Sequence, residues 1–329
     1  MKRWKRLLLA VTQALALSVC MGWGIQATGA QGAEAPSDRF MKANEPCTGC
    51  HTDDHVVAIS KTAHGAIGNK GAPTCSTCHG QSTAHQQNPT GTKPDRVFTK
   101  DTKLTADQRS QVCMACHGSN RHLAFWESGR HQKNEVACDN CHALHKPVPP
   151  GGKVALKTPN PSVTPYQTTV RTLEYETCTA CHRQIRAQLL KPSHHPIIEG
   201  RITCSDCHNP HGALSKAMVK NESINQQCTS CHAEKRGPYV WEHAPVEENC
   251  LTCHNPHGSN HNRLLVERAP NLCQDCHDAS RHPGTIYGGD QGFSNPTPNT
   301  RLIARGCLNC HNQVHGSNAP AMRGKFFLR

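Results

Sequence analysis

Aromatic side chains are scarce in this 329-residue chain, at 4% of the composition. The length suffices for one large or two ordinary domains. The large side chains that usually fill such a core are missing, which predicts that something other than protein fills the interior. Beyond the first 25 residues there is no long apolar run, so no later segment approaches the roughly 20 residues of a spanning helix. Methionine is rare, with six copies that include Met1 and Met21. No cysteine after Cys20 stands outside a Cys-x-x-Cys pair.

The N-terminus reads as a secretion signal. Lys2, Arg3, Lys5 and Arg6 precede an uncharged apolar stretch from Leu7 to Ile25, and small residues follow. This predicts a signal peptide over 1–30, cleaved after Ala30, Ala33 or Ala35. A retained anchor is the alternative, disfavoured by those small residues. A lipoprotein reading of Cys20 is weak because Val19 suits lipidation poorly. The mature chain is then exported and keeps 20 of the 21 cysteines.

All 20 fall in ten copies of Cys-x-x-Cys-His. The cysteine pairs are Cys47/Cys50, Cys75/Cys78, Cys113/Cys116, Cys138/Cys141, Cys178/Cys181, Cys204/Cys207, Cys228/Cys231, Cys250/Cys253, Cys273/Cys276 and Cys307/Cys310. The histidines beside them are His51, His79, His117, His142, His182, His208, His232, His254, His277 and His311. This pattern attaches c-type haem through two thioethers, with the adjacent histidine on the iron. A zinc knuckle, a redox dithiol or a disulfide framework would not require a histidine after every pair. Ten haem c groups per chain are expected.

The formal charge is +12. The signal removes four basic residues, leaving +8. Twenty propionates and about one positive charge per oxidised centre bring the total to about −2 oxidised and about −12 reduced. The basic composition balances cofactor charge, and nucleic acid is not an expected partner.

A six-coordinate electron-transfer haem needs a second axial ligand. Fourteen histidines lie outside the motifs. Each odd-numbered motif and its even partner have at least one histidine between them: His64, His131, His195, His243 and His282. Each even motif has one soon after it: His85, His145, His211, His257 and His315. The unit motif–His–motif–His therefore recurs five times, at 47–85, 113–145, 178–211, 228–257 and 273–315. This is an internal repeat of two-haem modules. It supplies all ten distal ligands and leaves His55, His122, His194 and His261 over. His194 rivals its neighbour His195, and His55 rivals His64 less strongly.

The stretches CSDCHNPHG (204–212) and CLTCHNPHG (250–258) place a second histidine three residues after the first. His208 is fixed under its own haem, so His211 is too close to reach the opposite face of that ring. It is expected to serve a neighbouring haem, with Pro210 limiting the backbone between them. That predicts a closely packed haem chain. Thr105–Gln108 and Ser223–Gln226 read as capping boxes before CMACH and CTSCH, and 183–190 favours helix. The expected fold is a multihaem cytochrome c of loops and short α-helices around haems, with little or no sheet. The Pro- and Gly-rich 146–165 marks a join between an N-terminal half (31–165, haems 1–4) and a C-terminal half (166–329, haems 5–10). Irons ligated on both faces pass electrons without binding substrate, so the inference is a conductor.

The ten-motif register, with CSDCHNPHG, CHAEKRGPYVWEHAPVEENCLTCHNPHG (231–258) and CLNCHNQVHGSN (307–318), resembles the MtrA/DmsE family of decahaem cytochromes. The resemblance covers nearly all of the mature chain. It implies ten bis-histidine haems, and its SHHP match favours His195 over His194. It also implies a chain threaded through an outer-membrane β-barrel porin, joining periplasmic c-type cytochromes to an extracellular multihaem cytochrome or iron species. Electrons would leave toward ferric minerals, as in MtrA relatives, or enter from ferrous iron, as in MtoA and PioA relatives; DmsE relatives serve an extracellular dimethyl sulfoxide reductase. Enzymatic multihaem chemistry is disfavoured, because ligands suffice for every iron and Cys-x-x-Cys-Lys is absent. A free periplasmic shuttle is the remaining alternative.

Overall fold

The computed structural model describes residues 36–65, 72–99, 102–146, 170–277 and 307–328. The signal segment, residues 147–165 of the expected join, and His282 lie outside them. Among the described residues there are short α- and 3-10 helices joined by loops, and no strand; β-pairing is limited to four isolated antiparallel bridges. None of these helices is long and apolar enough to cross a membrane. The expectation of short helices with little sheet holds.

The longest helix among the described residues, Ala106–His117, has 12 residues. It starts at the expected capping box: the Gln108 amide donates to Thr105 Oγ1 at 3.2 Å, and the Thr105 amide to Gln108 Oε1 at 2.9 Å. Its last turns carry CMACH, so Cys113, Cys116 and His117 share one face. The helix Ile224–Thr229 has the expected Ser223 cap, with the Gln226 amide donating at 3.1 Å, but not the return bond from the Gln226 side chain. The expected helix after CTACH spans Arg183–Leu189. A further capping box, not foreseen from sequence, joins Thr74 and Thr77 ahead of CSTCH.

Within each of the first four modules a polar side chain ties the odd-motif segment to the first turn of the even motif. Asn44 Oδ1 accepts the Cys75 amide at 2.7 Å, and Asn225 Oδ1 accepts the Cys250 amide at 2.8 Å. Arg109 pairs with Asp139 at 2.6 Å, both largely buried. Glu174 accepts the Ser205 amide at 2.6 Å and its hydroxyl at 3.0 Å. The bonds from Asn44, Asn225 and Glu174 satisfy backbone donors at helix starts that would otherwise lack partners.

Protein side chains alone make a small core. Seven apolar residues are buried among those described: Phe40, Trp126, Ala137, Tyr175, Leu189, Ile197 and Val219. Their one cluster is Tyr175, Leu189 and Ile197, flanked by Ile185, Ile198, Ile202 and Cys204.

Candidate functional site

The motif cysteines come together in a regular order. In every module the first cysteine of the odd motif interacts with the first cysteine of the even motif: Cys47 with Cys75, Cys113 with Cys138, Cys178 with Cys204, Cys228 with Cys250, and Cys273 with Cys307. Burial and the neighbouring Cys47 push the Cys75 thiol up to about 11. At three of the four module junctions the second cysteines are neighbours: Cys78 with Cys116, Cys207 with Cys231, and Cys253 with Cys276. The motifs thus follow one another in space as they do in sequence, touching by turns at first and second cysteines.

Cys50, Cys181 and Cys310 depart from this order. The sequence marks them as thioether positions like the other seventeen, yet the structure does not set all twenty in equivalent places. Both cysteines of the first four even motifs are half-buried, whereas Cys50, Cys181 and Cys310 are exposed, as are Cys116, Cys231 and Cys276. Cys50, Cys181 and Cys310 each lie just past the end of the helix that holds the first cysteine of the motif: Glu45–Thr48, Val170–Thr179 and Cys307–Asn309. The half-buried Cys253 follows Cys250–Thr252 in the same way, and the exposed Cys116 lies within its helix, so the helix end alone does not set exposure. At the junction of modules 2 and 3, Cys141 acts on Cys178, the first cysteine of its motif. Cys50 belongs to the first motif and Cys310 to the last. A thioether at these three positions would lie at the protein surface, so attachment there is read from the motif and not from burial.

The histidines form pairs. Each of nine motif histidines faces one histidine from another segment. His51 faces His85 at 6.1 Å between ring centres, His79 faces His145 at 6.1 Å, and His117 faces His64 at 5.9 Å. His142 faces His211 at 6.1 Å, His182 faces His131 at 6.1 Å, and His208 faces His257 at 6.0 Å. His232 faces His195 at 6.3 Å, His254 faces His315 at 6.1 Å, and His277 faces His243 at 6.1 Å. An imidazole nitrogen lies about 2 Å from a ligated metal, so two rings on opposite sides of one ion have centres roughly 6 Å apart. The paired rings fit an iron between them.

Backbone carbonyls orient the rings. Nδ1 donates to the carbonyl of Arg96 from His79 (3.0 Å), of Thr92 from His85 (2.7 Å), of Ala217 from His208 (2.9 Å) and of Arg263 from His254 (2.8 Å). His311 donates likewise to Phe326 at 2.6 Å. With Nδ1 occupied, Nε2 is the nitrogen left for a metal. Burial lowers the pKa of His64, His145, His257 and His315. For His211, burial and then the adjacent His142 lower it to about 4. A neutral imidazole is the form that ligates.

The modules are joined by exchange of histidines. At the junction of modules 2 and 3, His131 of module 2 faces His182 of module 3, and His211 of module 3 faces His142 of module 2. The same reciprocal crossing joins modules 3 and 4 through His195 and His257, and modules 4 and 5 through His243 and His315. The two crossing residues are locked together. His131 Nδ1 donates to the carbonyl of Pro210, His195 to Pro256 and His243 to Val314, at 2.7, 2.7 and 3.0 Å. Each acceptor immediately precedes the histidine that crosses the other way. A glycine follows that histidine, and a Cβ on Gly212 would lie 2.2 Å from the Phe125 carbonyl oxygen. Modules 1 and 2 cross through His64 and His145, and the remaining pair of module 1 is internal, His85 facing His51.

Of the leftover histidines, His194 is engaged elsewhere: Nδ1 donates to the Lys191 carbonyl at 2.6 Å, and Nε2 lies 3.0 Å from Glu199. His55 faces His145 at 6.1 Å, on a ring that also faces His79. His122 is exposed near His211. His261 donates its amide to Ser259 Oγ at 3.0 Å.

Known proteins resemble this chain in sequence. The doubled CXXCH motif model matches residues 194–237 and 243–282, and a model of cytochrome c-type protein NrfB-like matches 75–158. The multiheme cytochrome MtrA of Shewanella baltica (strain OS185) is 38% identical over 342 residues, spanning 98% of this chain and 96% of the relative. The chain belongs to the MtrA family of multihaem cytochromes. As a member of the MtrA family it is a c-type cytochrome that binds several haems and transfers electrons.

Proposed function

We propose that this cytochrome carries ten haem groups, each attached through both cysteines of one motif and ligated by two histidines, and that it conducts electrons across the outer membrane inside a β-barrel porin. The nine histidine pairs about 6 Å apart carry the reading. For the tenth, the sequence repeat supplies His282 as the second ligand beside the motif histidine His311. A haem held there supplies one-electron exchange at its iron. The chain's own histidines take both axial positions and leave none for a substrate, so the reading is an electron carrier and not an enzyme.

The spatial succession of motifs supports a conductor over isolated sites. The chain is exported by its signal peptide and works in the periplasm and outer membrane. Its partners are the porin, periplasmic c-type cytochromes, and an extracellular multihaem cytochrome or iron species. Electrons run either outward to ferric minerals or inward from ferrous iron.

Reconstitution with the candidate porin in liposomes holding a trapped redox dye tests this. Dithionite or Fe(II) added outside should change the dye only when cytochrome and porin are both present. Dye unchanged by either reductant, with both proteins bound, overturns the conduit and leaves the shuttle.

A further inference from the structure

The paired rings fall into two groups by the angle between their planes. Five pairs are close to parallel: His254–His315 at 12°, His142–His211 at 16°, His208–His257 at 19°, His243–His277 at 23° and His51–His85 at 26°. Four are strongly inclined: His195–His232 at 45°, His79–His145 at 56°, and both His64–His117 and His131–His182 at 64°.

The grouping follows the direction of the histidine exchange. Histidines crossing back to the preceding module from CHNPH or CHNQVH (His211, His257, His315) lie near-parallel to their partners. Histidines crossing forward (His64, His131, His195) lie inclined. Two pairs depart from this, and each has a local cause. His145 crosses back but is inclined. It comes from CHALHK, with Ala143, Leu144 and Lys146 where CHNPHG has Asn, Pro and Gly. Its buried Nδ1 makes no hydrogen bond of ordinary geometry, and the His55 ring stands beside it. In CHNPHG the asparagine accepts the trailing histidine's own amide, from His211 to Asn209 and from His257 to Asn255, at 3.2 Å each. His243 crosses forward but is near-parallel, and the Phe327 ring packs against it at 5.2 Å.

We propose that the Asn-Pro-His-Gly turn and Phe327 are positioning elements that set the plane of the second ligand, and so divide the haem sites of this chain into two electronic classes. The proposal rests on the bis-histidine reading above. The physical reason is π-donation. Parallel imidazoles donate into the same iron d-orbital and split the pair of π-type orbitals widely. Inclined rings donate into both, which narrows the splitting and moves the largest g-value of the oxidised iron to lower field. Inclination also weakens the preference for the oxidised state. Sites with inclined rings accept electrons more readily than near-parallel sites in the same surroundings.

The test is electron paramagnetic resonance of the mature, haem-loaded cytochrome. The oxidised protein should show two low-spin populations, one rhombic and one at lower field. The combined substitution Ala143→Asn, Leu144→Pro and Lys146→Gly should move one haem equivalent from the low-field to the rhombic population and lower the midpoint potential of that site. Phe327→Ala should move one equivalent the opposite way, with haem content unchanged by mass. An all-low-spin spectrum with a single population, or variants that leave both populations unaltered, overturns the proposal while the bis-histidine reading stands. A high-spin signal from the unaltered protein overturns both.

Discussion

Modules 1 and 2 meet differently from modules 3 and 4. At the later junction His195 and His257 cross between modules, His195 donates to the carbonyl just before His257, and an antiparallel bridge pairs Ser193 with Ser259. A Cβ on Gly258 would lie 2.0 Å from the Gln188 carbonyl oxygen, so the glycine lets the two backbones touch. At the earlier junction His64 and His145 also cross, but the turn is CHALHK, and His145 Nδ1 lacks a well-formed hydrogen bond. The topology of exchange is the same, while its backbone support differs. Ligand crossing orders the motifs in space at both junctions; the turn with its hydrogen bond and glycine adds direct backbone contact at the later one.

Removing a crossing ligand breaks either junction, and should have the largest effect. His211→Ala is expected to turn one haem equivalent high-spin, at the haem of Cys138 and Cys141 and not at that of Cys204 and Cys207. The check is a second set of variants. The high-spin signal should vanish when Cys138→Ala and Cys141→Ala are added, and persist with Cys204→Ala and Cys207→Ala. His145→Ala should do the same at the haem of Cys75 and Cys78. A high-spin signal that follows Cys204 and Cys207 would contradict the pairing of His211 with His142.

The two junctions separate more clearly at the residue after the crossing histidine. Gly212 has φ +119°, and an added Cβ meets backbone that cannot move aside. Gly212→Ala should cost about 3 kcal/mol or more, from the left-handed backbone together with the overlap. Lys146→Gly, at the matching position of the earlier junction, should stay within about 0.5 kcal/mol, as expected of a change that creates no overlap. Chemical unfolding followed by haem absorbance compares the two. Equal losses would mean that the glycine turn contributes nothing special to the later joint.

The cofactor class was legible because covalent haem attachment demands a rigid local spacing, and ten copies of Cys-x-x-Cys-His leave little else to explain. The same spacing is silent on exposure: Cys50, Cys181 and Cys310 read like every other motif cysteine, yet they are exposed where both cysteines of the first four even motifs are half-buried. Helices were legible where a capping box precedes a motif, as at Thr105. The exchange was legible only as a necessity: three residues separate His208 from His211, too few to reach around one ring, so some neighbour had to receive His211. Which neighbour depends on how modules dock, and no short-range pattern encodes that. The choice between His194 and His195 depends on contacts of the same kind, since His194 is taken up by Lys191 and Glu199. The inclination of the rings was hidden for a further reason. Beside the local turn, it involves packing distant in sequence, such as Phe327 on His243, 84 positions apart in the numbering.

The smallest contrast lies in how the modules hold the proximal histidine. In module 1 the carbonyl bonded to His79 belongs to Arg96, at the end of a 17-residue excursion. In modules 3 and 4 a tight wrap brings in the carbonyl only nine residues on, from Ala217 to His208 and from Arg263 to His254. The short wrap requires left-handed backbone at two successive non-glycine residues, Ala217 and Met218 in one copy, Arg263 and Leu264 in the other, with φ between 55° and 61°. Left-handed conformation costs an L-residue about 1–2 kcal/mol, and glycine avoids that at some cost in unfolded-state entropy. Arg263→Gly should therefore stabilise module 4 by a net of about 0.5–1 kcal/mol, with haem content and the electron paramagnetic spectrum unchanged. A shift of the unfolding midpoint to lower denaturant would show that the Arg263 side chain contributes more than its backbone conformation costs. Arg96→Gly in module 1, with no left-handed strain at that residue to relieve, should give no such gain.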